Sequence, residues 1–195
     1  MDRINKQLDF LIEIDKIKSI FRQTYVTKEI RHENDAEHSW HLALMAIILS
    51  EHFDKEYDLL KVIKLVLIHD IVEVYAGDTY SYDAKANEGK FERELKSANI
   101  IYGKLPDDQY EEYKNLWLEF EEGKTPEAIF ANALDKIQPV FLNYLTEGKA
   151  WIEHGIYSDQ VIKRNKEYIK HIPELEKIFY SLIASAEQKG YLKKR

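Results

Sequence analysis

Hydrophobic residues recur at helical spacing along most of the chain. The first such segment predicts an amphipathic helix that runs to about Phe21, from apolar residues three and four positions apart: Ile4, Leu8, Leu11, Ile12 and Ile17. Residues 22–34 are more polar and keep no sustained period, so we expect a loop there. Further helices are predicted from Asp35 as an N-cap, near 59–68, over 86–102 and 107–122, after Thr125-Pro126, and from Ser158 and Ile172-Pro173. No segment shows the alternation of a strand, so the sequence predicts an all-α fold.

The composition is that of a globular protein with few linkers. At 195 residues, with 45% hydrophobic and 32% charged residues, the chain can bury a substantial core, and we expect one domain over residues 1–195. Only 7 glycines and 4 prolines leave little room for disordered segments. The sequence has no cysteine, which excludes disulfides, thiolate metal ligands and cysteine nucleophiles. Any metal ion must therefore be held by His, Asp and Glu.

Charge and hydropathy restrict the partners. The net charge of −7 argues against a broad nucleic-acid surface, which is normally basic. The N-terminal residues lack the apolar segment of a signal peptide, and no apolar run reaches the length of a membrane span. We therefore expect a cytoplasmic protein that binds neither nucleic acid nor membrane.

A dense apolar segment, residues 59–68, leads directly into a group of ionisable side chains. His69 and Asp70 come first, Glu73 follows His69 by one helical turn, and Asp78 comes after a glycine. Buried carboxylates without partners are energetically costly, so they are usually paired or bound to a metal ion. A histidine–aspartate pair offers one nitrogen and one oxygen ligand. The alternative is a core histidine within a salt-bridge cluster.

Two other predicted helices carry residues that can complete such a site. His38 and His41 lie one turn apart near the start of the second helix, and Asp135 lies in the middle of an apolar one. Taken singly, each has an ordinary explanation, either a hydrogen-bonded core histidine or a salt bridge between helices. Pro139 cannot donate a hydrogen bond to the carbonyl of Asp135, so we expect a kink beside that carboxylate. A functional site would explain such a disruption.

The order and spacing of these residues resemble the HD-domain metal-dependent phosphohydrolases, whose signature is a lone His, a His-Asp pair and a distant Asp, all on helices. The similarity extends to the branch containing the YfbR-like 5′-deoxynucleotidases through three segments: Glu37-His38-Ser39, His69-Asp70-x-x-Glu73-x-x-x-Gly77-Asp78 and Leu134-Asp135-Lys136. The resemblance covers about residues 18–151. It implies an HD-domain helical bundle with additional C-terminal helices.

The resemblance also implies a role for individual residues. One divalent metal ion would be held by four side chains: His38, His69, Asp70 and Asp135. Glu73 and Asp78 match the family's catalytic carboxylates, and Arg22 matches its phosphate-binding arginine. Tyr25 is the nearest equivalent, by count, of a tryptophan that lies near the sugar in these enzymes, and Lys18 is a further candidate phosphate contact. Two imidazoles and two carboxylates suit Mn²⁺, Co²⁺, Fe²⁺ or Zn²⁺ rather than Ca²⁺.

The implied function is that of a metal-dependent phosphomonoester hydrolase that converts nucleoside 5′-monophosphates to nucleoside and phosphate, with deoxyribose tolerated or preferred. Another small phosphate ester or a nucleoside polyphosphate is an alternative substrate, and a catalytically silent nucleotide-binding module is a second alternative. Family members of this kind are commonly dimers. The aromatic C-terminal residues therefore either supply a homodimer interface or pack within the monomer: Trp151, Tyr157, Tyr168, Phe179 and Tyr180.

Overall fold

Helices account for most of the part of the chain that the computed structural model describes, residues 2–29 and 31–195. In chain order the α-helices are α1 (Arg3–Ile14), α2 (Asp35–Ile48), α3 (Leu59–Ile68), α4 (Glu73–Ala76), α5 (Lys90–Tyr102), α6 (Asp107–Glu122), α7 (Pro126–Leu145), α8 (Lys149–Glu153), α9 (Ser158–Ile169) and α10 (Pro173–Gln188). Short 3₁₀ helices lie at Asp15–Ser19, Ser50–His52 and His69–Val72. The prediction of an all-α fold is confirmed.

A small two-stranded sheet lies where the sequence predicts a loop. β1 (Phe21–Tyr25) and β2 (His32–Asn34) are antiparallel, with an irregular register between their two ends. The loop prediction was wrong because strands this short show no readable alternation. Polar residues of the pair also face inward: the Thr24 hydroxyl donates a hydrogen bond to Glu33 Oε2 at 3.2 Å, and both residues are buried.

The start of α2 corrects a second prediction. Asn34, rather than Asp35, is the N-cap: its side chain accepts a hydrogen bond from the Glu37 amide, and the Glu37 carboxylate accepts one from the Asn34 amide. Asn and Asp cap helices about equally well, so the sequence does not distinguish two such neighbours. Asp35 is instead the first residue of the helix, and its side chain is completely buried.

Helix boundaries differ elsewhere by short distances. The first helix ends at Ile14 and tightens into a 3₁₀ segment, and the charged helix begins at Lys90, after Gly89 in a left-handed conformation (φ 63°). Thr125 caps α7 as predicted, with Pro126 at its first position. The helix continues through Pro139, whose carbonyl accepts a hydrogen bond from Asn143 at 2.8 Å. The kink expected there stays a prediction.

Two groups of buried hydrophobic side chains meet at the end of α3. The larger group is built on α2, α3, α7, α9 and α10 and includes Leu42, Val62, Phe130, Leu134 and Phe179. The smaller group is built on α1, α5, α6, the end of α3 and the segment after it, and includes Phe10, Ile68, Ala98, Tyr102 and Trp117. The junction between them carries the His69–Val72 turn, which is therefore buried from both sides.

Two of the five C-terminal aromatic residues pack within the chain. Trp151 and Phe179 belong to the larger hydrophobic group, whereas Tyr168 and Tyr180 are exposed. Packing within the monomer thus accounts for part of this aromatic segment. None of the helices in the described ranges is long and apolar enough to cross a membrane.

Candidate metal centre and active site

Three helical segments bring the predicted ligands to one buried place. His38 comes from α2, Asp135 from α7, and His69 and Asp70 from the 3₁₀ turn after α3. The 3₁₀ turn winds the backbone more tightly where α3 ends, so that the side chains of the successive residues His69 and Asp70 both reach the site. His38 is completely buried, and the other three are buried as well.

The ligand atoms converge within a few ångströms. His38 Nε2 lies 3.0 Å from Asp135 Oδ1, and His69 Nε2 lies 3.8 Å from the same oxygen. One ligand atom from each of these three residues falls within 4.8 Å of the others. Asp70 lies beside them, its Oδ2 3.1 Å from His69 Nε2 and 3.9 Å from His38 Nε2. The structure thus brings together all four residues expected to bind a metal ion.

Both imidazole rings have their Nδ1 atoms engaged elsewhere. His69 Nδ1 lies 2.9 Å from the carbonyl oxygen of Val66, which can only accept, so we assign the proton to Nδ1. His38 Nδ1 lies 3.1 Å from Gln138 Oε1, and the Gln138 amide nitrogen donates to Glu33 at 2.7 Å, which fixes the amide orientation. Each ring then presents a lone pair on Nε2, as metal-binding histidines with a hydrogen-bonded far nitrogen do.

Each Nε2 atom faces a carboxylate, an arrangement that either a proton or a metal ion between the two groups can satisfy. His69 Nε2 is buried and makes no hydrogen bond, although a carboxylate oxygen lies 3.1 Å away. Burial alone would lower the pKa of His69, but the Asp70 and Asp135 carboxylates raise it to about 10. The same negative potential attracts a divalent ion. The residues present therefore fit a metal with mixed nitrogen and oxygen ligands.

A second carboxyl cluster adjoins the first. Asp35, Asp70 and Glu73 each offer an oxygen within 4.8 Å of the others. Burial, and then the charge of Asp70, raises the pKa of Asp35 to about 7. Burial, and then the charges of Asp70, Asp35 and Asp78, raises the pKa of Glu73 well above its usual range. Glu73 Oε2 is buried without a hydrogen-bond partner. Asp35 and Glu73 can therefore hold protons at neutral pH.

Arg22 of β1 holds the two clusters together. Its Nη1 donates to Asp70 Oδ2 at 2.8 Å and to Asp35 Oδ1 at 3.4 Å, and its Nε lies 3.8 Å from Glu33 Oε2. Burial alone would raise the pKa of Asp70, but the positive charges of His69 and Arg22 bring it below its usual range. Asp70 is thus expected to be ionised at neutral pH.

The clusters open onto a cavity of about 100 Å³. Its charged lining includes Arg22, Asp70, Glu73, Asp78 and Asp135. Its aromatic lining is Tyr80, Tyr82 and Trp151. A wider cleft of about 700 Å³ shares Asp70, Tyr82 and Asp135 with this cavity and extends between α5, α6 and α9. The candidate metal centre therefore lies where two openings meet.

Two predicted substrate contacts lie away from this cavity. Lys18 is exposed and forms an ion pair with Asp15. Tyr25 is buried, donates a hydrogen bond to Glu153 at 2.9 Å and stacks on His32 at 4.3 Å between ring centroids. Neither residue lines the cavity or the wider cleft. Counting along the chain from Arg22 does not specify side-chain direction in a strand with irregular register.

Several site residues carry no signal in the sequence motifs. Asp35 lies at the carboxyl cluster, and Gln138 connects His38 to Glu33 and lies 3.3 Å from His41 Nδ1. Gln138 follows Asp135 by three positions on α7, so the helical period alone places it on the same face. Cationic residues from later helices also reach the cavity: Lys90, Lys136 and Arg164. Only the tertiary fold brings these groups to the site.

A helical bundle with this His/Asp centre corresponds to the HD-domain class of metal-dependent phosphohydrolases. The chain belongs to the HD domain family, whose profile matches residues 14–176. It is similar over its length to a predicted metal-dependent phosphohydrolase from Magnetospirillum magnetotacticum MS-1, with 43% identity, a TM-score of 0.92, and 97% of this chain and 95% of the other covered. The predictions of the family and of a phosphohydrolase enzyme are confirmed.

Two further relatives carry a more specific name. The 5′-deoxynucleotidase HDDC2 of Dictyostelium discoideum is 28% identical over 147 residues, which cover 72% of this chain and 77% of that protein. The human 5′-deoxynucleotidase HDDC2 is 29% identical over 135 residues, covering 68% of this chain and 64% of the human protein. The match therefore spans slightly less than two thirds of the human relative's length.

Proposed function

We propose that this protein hydrolyses nucleoside 5′-monophosphates to nucleoside and phosphate, using one divalent metal ion held by four ligands: His38, His69, Asp70 and Asp135. The observation that carries the proposal is the pair of imidazole Nε2 lone pairs facing Asp135 and Asp70 at 3.0 and 3.1 Å in a buried cavity. The names of the 5′-deoxynucleotidase relatives support the choice of substrate.

The donor set favours a transition metal. Two imidazole nitrogens and two carboxylate oxygens suit Mn²⁺, Co²⁺, Fe²⁺ or Zn²⁺ better than the all-oxygen ligands that Ca²⁺ prefers. A divalent ion held there supplies positive charge for a phosphoryl oxygen and acidifies water. The carboxylates of Asp70 and Asp135 remain charged beside the imidazoles, because their pKa values lie below the usual range despite burial, which opposes that shift.

Arg22 is proposed to help bind the phosphate. Its guanidinium lines the cavity and is largely buried, where an ionic hydrogen bond is stronger than in water. The ion pairs with Asp70 and Asp35 hold the side chain in position, so little conformational freedom is lost when substrate binds.

Glu73 is the better placed of the two candidate proton carriers. It is buried with an unpartnered oxygen, whereas Asp78 is partly exposed on the same cavity. Burial raises the pKa of both carboxyls, and the charges of Asp70 and Asp35 add to the effect at Glu73. A carboxyl that holds a proton near neutral pH can return it to the leaving alkoxide and orient water after losing it.

The aromatic part of the cavity is proposed to receive the nucleoside. Tyr80, Tyr82 and Trp151 give it an apolar wall, as small-molecule sites commonly have. Tyr25 lies outside the cavity, so no bulky residue from β1 stands at the position where the resemblance implies a tryptophan. Steric exclusion of the 2′-hydroxyl would then depend on the rings of Tyr80, Tyr82 and Trp151. An added hydroxyl is rejected only weakly without such exclusion, so we expect weak discrimination between ribose and deoxyribose.

The proposal predicts a specific substrate profile. With Mn²⁺ or Co²⁺ added, deoxyadenosine and adenosine 5′-monophosphates should both release phosphate, with kcat/KM values less than about 100-fold apart. Adenosine 3′-monophosphate and deoxyadenosine triphosphate should react at least roughly 10-fold more slowly, a discrimination of the size that one misplaced contact produces. Phosphate release is measured in parallel reactions, and the Asp135→Asn protein serves as the control for contaminating phosphatases. Rapid turnover of the 3′-monophosphate or triphosphate, with inert 5′-monophosphates, would contradict the substrate assignment.

Two alternatives have distinct signatures in the same screen. Hydrolysis confined to sugar phosphates or nucleoside polyphosphates would indicate another substrate class. Of these two classes, nucleoside polyphosphates are favoured by the four cationic residues that line the wider cleft: Lys90, Lys136, Lys163 and Arg164. Binding of nucleotide without any phosphate release would indicate a silent module. We expect neither, because the candidate ligands and Glu73 lie together in one cavity.

We further propose a cytoplasmic homodimer that does not bind nucleic acid. Exposed apolar residues form helical stripes on α1 and α2, and such stripes commonly mark interfaces: Ile4, Leu8, Leu11 and Ile12 on α1, and Trp40, Leu44, Ile47 and Ile48 on α2. Light scattering at micromolar concentration should give twice the chain mass of 23.1 kDa. A mass of one chain would contradict the dimer.

A further inference from the structure

Arg164 of α9 lies at the boundary between the two openings of the site. It lines both the 100 Å³ cavity and the 700 Å³ cleft, together with Asp70, Lys136 and Asp135. Its side chain is partly buried. The residue lies beyond the segment that carries the sequence resemblance, and the proposed hydrolysis of nucleoside monophosphates assigns it no role so far.

The other cations of the cavity are already paired with carboxylates. Arg22 donates to Asp70 at 2.8 Å. The Lys90 ammonium lies 3.2 Å from Glu94, and the Lys136 ammonium donates to Asp135 at 2.5 Å. A phosphate that binds any of these three cations must share it with a carboxylate that is already paired with it.

Arg164 differs from them in this respect. Across residues 2–29 and 31–195, no carboxylate lies within 4.0 Å of its guanidinium, and its side chain makes no hydrogen bond with the protein. A guanidinium is always charged, and its planar set of donors matches two oxygens of one phosphate. Arg164 can therefore bind an anion in this cavity without giving up a partner.

We propose that Arg164 binds the phosphate group of the substrate from α9, while Arg22 binds it from β1. The inference deepens the proposed function, since it assigns a further contact to the same phosphate. The phosphate dianion enters a cavity lined by four carboxyl groups: Asp70, Glu73, Asp78 and Asp135. An unpaired cation there offsets their repulsion in the ground state, so its main contribution is to substrate and phosphate affinity.

The test compares Arg164→Gln, which removes the charge, with Arg164→Lys, which keeps it. Lys166→Ala is the matched control, because Lys166 is an exposed cation on the same helix outside both openings. p-Nitrophenyl phosphate is the substrate and inorganic phosphate the competitive inhibitor, so the measurement does not depend on the nucleotide. Metal content and melting temperature are recorded for each variant.

Arg164→Gln should raise KM and the inhibition constant for phosphate together by about 10- to 100-fold, the usual worth of a hydrogen-bonded charge. Its kcat should stay within about 3-fold of the wild-type value, as expected when ground-state and transition-state binding are lost equally. Arg164→Lys should recover part of the affinity, and Lys166→Ala should change neither constant. Unchanged KM and inhibition constants in a folded, metal-loaded Arg164→Gln protein would overturn the proposal.

The outcome is separable from that of the substrate screen. If nucleoside 5′-monophosphates were inert while phosphate affinity still depended on Arg164, the nucleotide assignment would fail and the phosphate contact would stand. If nucleotides were hydrolysed with constants independent of Arg164, the phosphate contact would fail and the proposed function would stand.

Discussion

Asp135→Ala is expected to remove the bound metal and the activity together. Asp135 Oδ1 lies 3.0 Å from His38 Nε2 and 3.8 Å from His69 Nε2, so one carboxylate faces both imidazole lone pairs. Removing a group that merely supports a ligand costs roughly 10–100-fold in metal affinity, and loss of a ligand itself should cost more. Metal content by elemental analysis and turnover of p-nitrophenyl phosphate measure the two effects on the same sample.

Asp135→Asn tests the same point while keeping the shape of the side chain. It should also lose metal, because a neutral amide replaces an ionised carboxylate. Burial alone would raise the pKa of Asp135, but Lys136 and the two histidines hold it well below its usual range. Asp54→Ala, at an exposed aspartate, is the control and should behave like the wild type. Stoichiometric metal with full turnover in either Asp135 variant would show that this residue is not a ligand.

Glu73→Gln is expected to keep the metal and lose the chemistry. The substitution preserves side-chain volume at a residue that is 3% exposed, so the fold should tolerate it. The amide cannot carry a proton between water and the leaving group, and kcat should fall by about 10²–10⁴-fold, the usual contribution of a positioned acid or base. Elemental analysis and steady-state kinetics separate the two quantities.

Asp78→Asn is the matched variant for this measurement. Asp78 lines the same cavity but is more exposed, and we expect a smaller decrease in kcat than for Glu73→Gln. The reverse order would assign the proton transfer to Asp78. An empty metal site in Glu73→Gln would instead make Glu73 a ligand.

The sequence predicts most of what depends on short-range pattern. Apolar periodicity indicates the helices, and the motif residues His38, His69, Asp70 and Asp135 do meet at one buried place. A functional site can be recognised there because ionisable residues interrupt otherwise apolar helices, and a packed hydrophobic core alone does not explain such residues.

The features that the sequence does not reveal depend on side-chain direction and on distant packing. Asn34 and Asp35 are equivalent as caps by residue type, and only the buried position beside Arg22 distinguishes Asp35. Tyr25 follows Arg22 by three residues, and positions an odd number apart face opposite sides of a strand; its hydroxyl donates to Glu153 outside the cavity. Arg164 reaches the cavity through the packing of α9 on α7, which no local pattern encodes.

The most direct test of the central claim is a metal titration of the wild-type protein after chelation. Activity on deoxyadenosine 5′-monophosphate should be lost on chelation and return in proportion to bound Mn²⁺ or Co²⁺. It should reach its maximum at one equivalent per chain, as expected for a single site built from His38, His69, Asp70 and Asp135. Full turnover in protein shown by elemental analysis to be free of metal would contradict the account.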